Sequence, residues 1–169
     1  RPPSAGEETG EYYKKMLADY HEGLKRIAEE FPELAGSEPE LSGFFWFQGW
    51  NDMFDDKARA GYEQNLVHLI RDLRRDLGAP GLPVVVGELG NGGEDAGKSM
   101  KIIRAAQAAA CRRPGFAGNV RFVKTTPFAR PAKESPNVGH GHHWFGNAES
   151  YFLVGDALGV AMVELLKAK

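Results

Sequence analysis

Apolar and polar positions along the chain fall into blocks that switch between a helical period and continuous apolar runs. From about Glu8 to Phe31, the residues Tyr13, Met16, Leu17, Tyr20, Leu24 and Ile27 recur at three- and four-residue steps, which predicts a helix with one apolar face. The polar stretch from Pro32 to Ser42 interrupts it, with Pro and Gly as breakers. Gly43-Phe44-Phe45-Trp46-Phe47 then forms an unbroken aromatic run. Apolar on both faces, it predicts a central strand of a parallel sheet covered by helices on both sides. A second helix is predicted over about Ala58 to Leu77, where Tyr62, Leu66, Leu69, Ile70, Leu73 and Leu77 make one stripe and Gly78 is placed to cap it. Leu82-Pro83-Val84-Val85-Val86 predicts another buried strand, its proline tolerable because it stands near the start. A Gly-rich loop, Gly87 to Gly93, leaves that strand. An Ala-rich helix over about Asp95 to Arg113, a short strand over Val120 to Lys124 and an amphipathic helix over about Ala148 to Leu166 complete the pattern. The connection from Thr125 to Gly146 is long and interrupted by Pro127, Pro131 and Pro136. Loops of that length in compact domains usually carry function or lack order.

Helices alternating with apolar strands predict an α/β fold, a three-layer α/β/α sandwich around a parallel sheet. Three strands make a thin sheet, since sheets average roughly five to six, and the chain opens on a helix. Both features predict one or two strands upstream of Arg1. With 169 residues the chain fits one compact domain, residues 1–169. A formal net charge of −2 argues against the clustered basic excess of a nucleic-acid binder. No apolar run approaches the roughly 20 residues of a membrane helix, and no signal peptide opens the sequence. The start, Arg1-Pro2-Pro3-Ser4, lacks an initiator Met and reads as a cut point. Cys111 is the sole cysteine, so no internal disulfide is expected, and its place in an Ala-rich helix reads as packing.

Ligands of open parallel sheets bind just beyond the carboxyl ends of the strands. Here those ends read Gln48-Gly49-Trp50-Asn51-Asp52, Gly87-Glu88-Leu89-Gly90-Asn91, and Thr125-Thr126 leading into the loop with His140, His142 and His143. The amides of Gln48 and Asn51, with the backbone N–H of Gly49, suit an oxyanion; they equally suit a helix cap or an Asx turn. Glu88 follows three valines and needs a partner there. It can orient a histidine, bind a sugar hydroxyl, cap a helix or form a structural ion pair. Trp46 and Trp50 suit either a sugar face or the core. Three of the five histidines fall within four residues. General base, metal ligands and an exposed polar loop all stay open for them. They lack i, i+4 spacing and no clear fourth ligand follows, so no metal is assigned. The serines are Ser4, Ser37, Ser42, Ser99, Ser135 and Ser150. None stands in a Gly-x-Ser-x-Gly elbow, nor after Gly-Asp or Gly-Gln at a strand end. The sequence contains no convincing nucleophile.

Phe44-Phe45-Trp46-Phe47-Gln48-Gly49-Trp50-Asn51-Asp52 resembles the Trp-x-Gln-Gly-x-x-Asp block of the sialate O-acetylesterase domain family, SGNH-type carbohydrate esterases related to acetylxylan esterases. Tyr62-Glu63-x-Asn65-Leu66, Leu69-Ile70-Arg71-Asp72-Leu73-Arg74 and Pro83-Val84-Val85-Val86-Gly87-Glu88-Leu89 follow in that family's order. His142-His143-Trp144-Phe145-Gly146-Asn147-Ala148-Glu149-Ser150-Tyr151, then Val154-Gly155-Asp156-Ala157-Leu158-Gly159, are similar to its C-terminal histidine block. The resemblance implies a flavodoxin-like α/β/α fold and removal of O-acetyl groups from a carbohydrate, sialate or acetylated xylan, with no metal and no cofactor. It places the nucleophilic serine in a Gly-Gln-Ser-Asn block, expected here in an N-terminal segment upstream of Arg1. It makes His143 the general base, with His140 a second candidate, and puts Gln48 and Gly49 on the oxyanion side. Asn51 coincides with the Asn of a Gly-x-Asn-Asp signature. Trp50 stands where the pattern has Glu, and His140 where it has Asp. The group orienting His143 is therefore open among Glu88, Glu149 and a backbone carbonyl. A secreted or periplasmic location is implied as well. Two other readings remain: a non-catalytic carbohydrate-binding module using Trp46, Trp50 and Trp144, and a histidine metal site.

Overall fold

A computed structural model describes residues 2–6 and 8–168. Every predicted element forms, close to its expected ends. Helix α1 spans Glu11–Glu30, strand β1 Phe44–Trp46, helix α2 Asp56–Asp76, strand β2 Val84–Gly87, helix α3 Lys98–Cys111, strand β3 Val120–Val123 and helix α4 Ala148–Lys167. The strands are parallel in the order β1-β2-β3, with Phe44 opposite Val84 and Val84 opposite Val120.

The pleat of β2 explains the layers. Successive side chains of a strand point to opposite faces. Val84 and Val86 join Tyr62, Leu66 and Ile70 of α2 and Ile103 of α3 on one face. Val85 turns the other way, onto Val154, Leu158, Ala161, Met162 and Leu165 of α4. All three valines are fully buried, each contributing about 1.5–3 kcal/mol relative to exposure. The product is an α/β/α sandwich in which α2 and α3 cover one face and α4 the other. Cys111 closes α3 as a packing residue, and burial pushes its thiol up to about 12. No helix of the described residues is long and apolar enough to cross a membrane.

Two expectations change. The aromatic run of β1 reads as a central strand, yet among the described residues β1 pairs with β2 alone and lies at the sheet margin. Phe45 and Phe47 remain 47% and 40% exposed. The all-valine strand β2 occupies the centre instead. The stripe on α1 is only half-buried beyond its first residue. Tyr13 is its one buried residue, its hydroxyl donating to Asp76 at 2.7 Å, while Met16 and Leu17 are only partly covered.

The elements are pinned at their ends by local chemistry. The Asp55 carboxylate accepts the Ala58 N–H at the start of α2, and Asn147 accepts the Ser150 N–H at the start of α4. Caps of this kind are worth about 1 kcal/mol. Arg74, buried at the far end of α2, donates Nε and Nη2 to the Leu82 carbonyl at 3.1 and 2.7 Å, and Nη2 to the Asn119 side chain at 2.9 Å. Those contacts tie α2 to the amino ends of β2 and β3. Burial lowers the Arg74 pKa, and the carbonyl oxygens it donates to replace part of the water its guanidinium loses.

At the opposite edge, β2 and β3 come together at Gly90. A Cβ there would sit 2.3 Å from Thr125 Oγ1 and 2.6 Å from the Thr125 carbonyl carbon. Backbone cannot yield as a flexible side chain can. Gly90→Ala is therefore expected to destabilise the fold by about 1–3 kcal/mol. Urea unfolding should show a lower midpoint at unchanged slope; an unaltered midpoint would contradict the close approach.

Candidate active site

The carboxyl ends of the strands open onto a cleft of about 510 Å³. Phe47, Gln48, Gly49, Trp50 and Asn51 line it from the end of β1, Leu89 and Asn91 from β2. His142, His143 and Trp144 enter from the loop before α4, and Tyr151 from α4 itself. That volume suits a small ligand.

One buried side chain sets the floor. Gln107 of α3 has no exposed surface. Its Nε2 donates to the Gln48 carbonyl at 3.0 Å and the Gly87 carbonyl at 3.3 Å, and its Oε1 accepts the Leu89 N–H at 2.9 Å. The Gln48 carbonyl also accepts the Tyr62 hydroxyl at 2.8 Å, and burial raises the Tyr62 pKa to about 12, so it stays a donor. Gly49 packs against this lattice with φ +146°, and a Cβ there would fall 2.8 Å from Ile103. Only glycine fits that turn without displacement.

The histidine loop has an unusual backbone. Trp144 and Phe145 adopt left-handed φ values of 52° and 54°, a conformation costing roughly 1–2 kcal/mol per non-glycine residue. Its partners over-determine it. The Trp144 ring is buried and stacks on Phe47 with centroids 6.2 Å apart. The Phe145 N–H donates to the His140 carbonyl at 2.9 Å, and the Asn137 N–H to the Phe145 carbonyl at 2.9 Å. Asn91, itself buried, donates Nδ2 to the carbonyls of Gly141 and His142, both at 3.1 Å. The Tyr151 hydroxyl donates to the His143 carbonyl at 2.9 Å.

The structure brings together most of the sequence-derived site residues. Gln48, Gly49, Trp50, Asn51 and His143 share the cleft wall with His142. His140 stands beside them, its ring 5.3 Å from that of His142 and 6.4 Å from that of His143. The His142 and His143 rings are 4.2 Å apart, and Trp50 lies 5.7 Å from His142. Displaced water and the two neighbouring imidazoles hold the His142 pKa below its ordinary 6.5. The Gln48 side-chain amide is engaged by Asp52. No group of three or more His, Cys, Asp or Glu side chains among the described residues is arranged to hold a metal ion.

The carboxylates sit elsewhere. Glu88 is buried, and its Oε2 accepts the N–H groups of Thr125 and Thr126 at 2.9 and 2.8 Å and the Thr126 hydroxyl. It staples β2 to the segment after β3 rather than bonding a histidine ring, because a buried carboxylate takes the nearest donors able to replace its water. Glu149 forms a two-pronged pair with Arg130, at 2.9 Å on both arms. That pairing lowers its pKa.

Two serines of this chain are also engaged in structural contacts. Ser150 is fully buried and donates to the Phe128 carbonyl at 2.7 Å. Ser4 meets His68 and Asp72 across α2, a trio resembling a catalytic triad in composition alone. The Ser4 Oγ donates to Asp72 Oδ2 at 2.7 Å, so its single proton is used and His68 Nδ1, also at 2.7 Å, is left to donate to it. A triad needs the reverse, an imidazole accepting the hydroxyl proton.

Asn91, Gln107 and Tyr151 are site-building residues that sequence reading passed over. Gln107 had a signal: it occupies a core position of the stripe Met100, Ile103, Gln107, Ala110, where an amide must find partners. Asn91 falls in the strand-end segment and Tyr151 in the histidine block, but neither carried a signal for its partner, since their contacts lie across the fold.

A parallel α/β/α sandwich with this cleft at its carboxyl edge is an open-sheet α/β protein with its ligand site where such sheets place it. The family model "Carbohydrate esterase, sialic acid-specific acetylesterase" matches residues 3–163, and the chain belongs to that family. A probable carbohydrate esterase of Arabidopsis thaliana is 32% identical over 73 residues, covering 43% of this chain and 27% of that protein. An X-ray structure of an Arabidopsis thaliana protein aligns with a TM-score of 0.54 at 25% identity, covering 83% of this chain and 51% of that one. The chain thus spans about half the length of the solved relative.

Two outcomes follow from this geometry. Gln107→Leu removes the side-chain partner of the Leu89 N–H and the Gly87 carbonyl, while the Gln48 carbonyl keeps the Tyr62 hydroxyl, and is expected to lower stability by about 1–3 kcal/mol in chemical denaturation. His142 should titrate below 6.5 by histidine NMR and move upward in His143→Ala, which removes one of the imidazoles that depress it. The sign follows from linkage: with its folded pKa depressed, the unfolded chain binds the proton first. The His142 contribution to stability is present above pH 6.5 and is lost as pH falls toward its folded value.

Proposed function

We propose that this chain supplies the histidine-bearing part of a carbohydrate O-acetylesterase that works by Ser–His catalysis, with the serine on a segment outside this sequence. The observation that carries the reading is the juxtaposition of His143 with the amide-rich end of β1 in one cleft at the carboxyl edge of the sheet. Family membership supports an ester of a carbohydrate as substrate. The margin of β1 supports the location of the serine: Phe45 and Phe47 are exposed there, as apolar residues would be on a strand awaiting a neighbour.

In this reading the serine hydroxyl attacks the acetyl carbonyl while His143 takes its proton. The carbonyl oxygen becomes an oxyanion, held by the Gly49 N–H and the Asn51 amide. Gln48 contributes through its backbone, since its side-chain amide is engaged by Asp52 and its carbonyl by Gln107 and Tyr62. Collapse expels the sugar hydroxyl, which receives the proton from His143. Water, deprotonated by the same imidazole, then releases acetate from the serine. With Glu88 and Glu149 engaged elsewhere, the His143 ring is oriented within this chain through its backbone. Trp50, half-buried at the cleft mouth, offers a face for a sugar ring.

The complete protein is expected to cleave p-nitrophenyl acetate, to be inactivated by a serine-directed phosphonate, and to lose activity at least a hundredfold in His143→Ala, in line with removal of a general base, worth roughly 10²–10⁴. The 169-residue chain alone should be inactive. Phosphonate-sensitive turnover by the chain alone would sink the placement of the serine. Carbohydrate binding by a complete protein that cleaves no ester would favour a non-catalytic module instead.

A further inference from the structure

We propose that Asn91 is a positioning residue for the esterase reaction, holding His143 in the cleft through the carbonyls of Gly141 and His142; this rests on the reading of His143 as general base. Asn91 is 3% exposed, and its Nδ2 carries two protons that meet two acceptors, both at 3.1 Å. Those acceptors lie 50 and 51 residues away in sequence, on the two residues immediately before His143. The amide therefore grips the loop where its direction is decided.

Asn91 is itself held. Its carbonyl accepts Nη2 of Arg104 at 2.8 Å, and the same guanidinium donates to the carbonyls of Leu89 at 2.7 Å and Gly93 at 2.9 Å. One buried cation thus fixes three carbonyls of the loop leaving β2, and that loop fixes the histidine. On the far side, Tyr151 of α4 holds the His143 carbonyl. His143 hangs between these two anchors, followed by two residues in left-handed backbone. That backbone relaxes most readily by rotating Trp144 and Phe145 toward right-handed values, which would swing the imidazole. Asn91 blocks the rotation by fixing the preceding peptides. A displacement of about 1 Å in a catalytic group costs on the order of a hundredfold in rate, so a purely structural hydrogen bond would here have a kinetic signature.

The test uses the complete protein with p-nitrophenyl acetate, comparing Asn91→Leu, Asn91→Ser and His143→Ala. Asn91→Leu keeps the size and removes both donors; kcat should fall about tenfold to a hundredfold while KM stays within about twofold. Asn91→Ser retains one donor and should recover part of kcat. A role confined to stability would lower the melting temperature without this split between kcat and KM. If Asn91→Leu keeps kcat within about twofold while His143→Ala is inactive, the positioning role is wrong and the esterase reading stands. If His143→Ala retains full activity, the parent reading fails and takes this one with it. Should Asn91→Leu not fold, Asn91→Ser decides alone: an unchanged kcat overturns the role, and a reduced kcat at steady KM supports it.

Discussion

The carboxamide of Gln107 reaches from α3 to the carboxyl ends of β1 and β2, accepting from Leu89 and donating to the carbonyls of Gln48 and Gly87. Strand ends have backbone groups that the sheet no longer pairs, and a buried one left alone costs about 1–3 kcal/mol. One amide with a donor end and an acceptor end answers three of them at once. Everything on the cleft wall inherits its position from that arrangement: the turn at Gly49, the aromatic and amide residues after it, and the loop from Leu89 to Gly93. Arg104, one helical turn earlier on α3, repeats the device on the carbonyls of Leu89, Asn91 and Gly93. The helix therefore acts on the site through polar side chains, although its sequence looks like plain apolar packing.

The two rims of the cleft are built on different principles. The β1 side is rigid because it is satisfied, with short contacts to Gln107 and Tyr62. The histidine side is held against its own backbone preference. Trp144 and Phe145 adopt a conformation that bulky residues avoid, and the buried indole, the Asn91 amide and the Tyr151 hydroxyl keep it there. Glu88 belongs to neither rim. It joins β2 to the residues after β3 and so determines where the long loop begins.

The sandwich was legible in the sequence because its signals are local. Period and apolar runs place seven elements in order. The rank of the strands was not legible. An aromatic run and a valine run both read as buried, and only pairing shows that, among the described residues, Val84–Gly87 is central and Phe44–Trp46 marginal. For the site, strand-end logic located the cleft and most of its lining. It left Glu88 open, because a carboxylate after a buried strand has no sequence mark separating a histidine partner from the backbone N–H groups of two threonines. It gave no role to Asn91 or Tyr151, since their partners are backbone carbonyls, which every residue possesses and no pattern distinguishes.

The left-handed pair after His143 has a consequence for how the protein fails. Energy stored in Trp144 and Phe145 is released when that corner opens, whereas the valine-centred sheet gains nothing by loosening. Warming should therefore open the histidine corner at temperatures where the three layers are still intact.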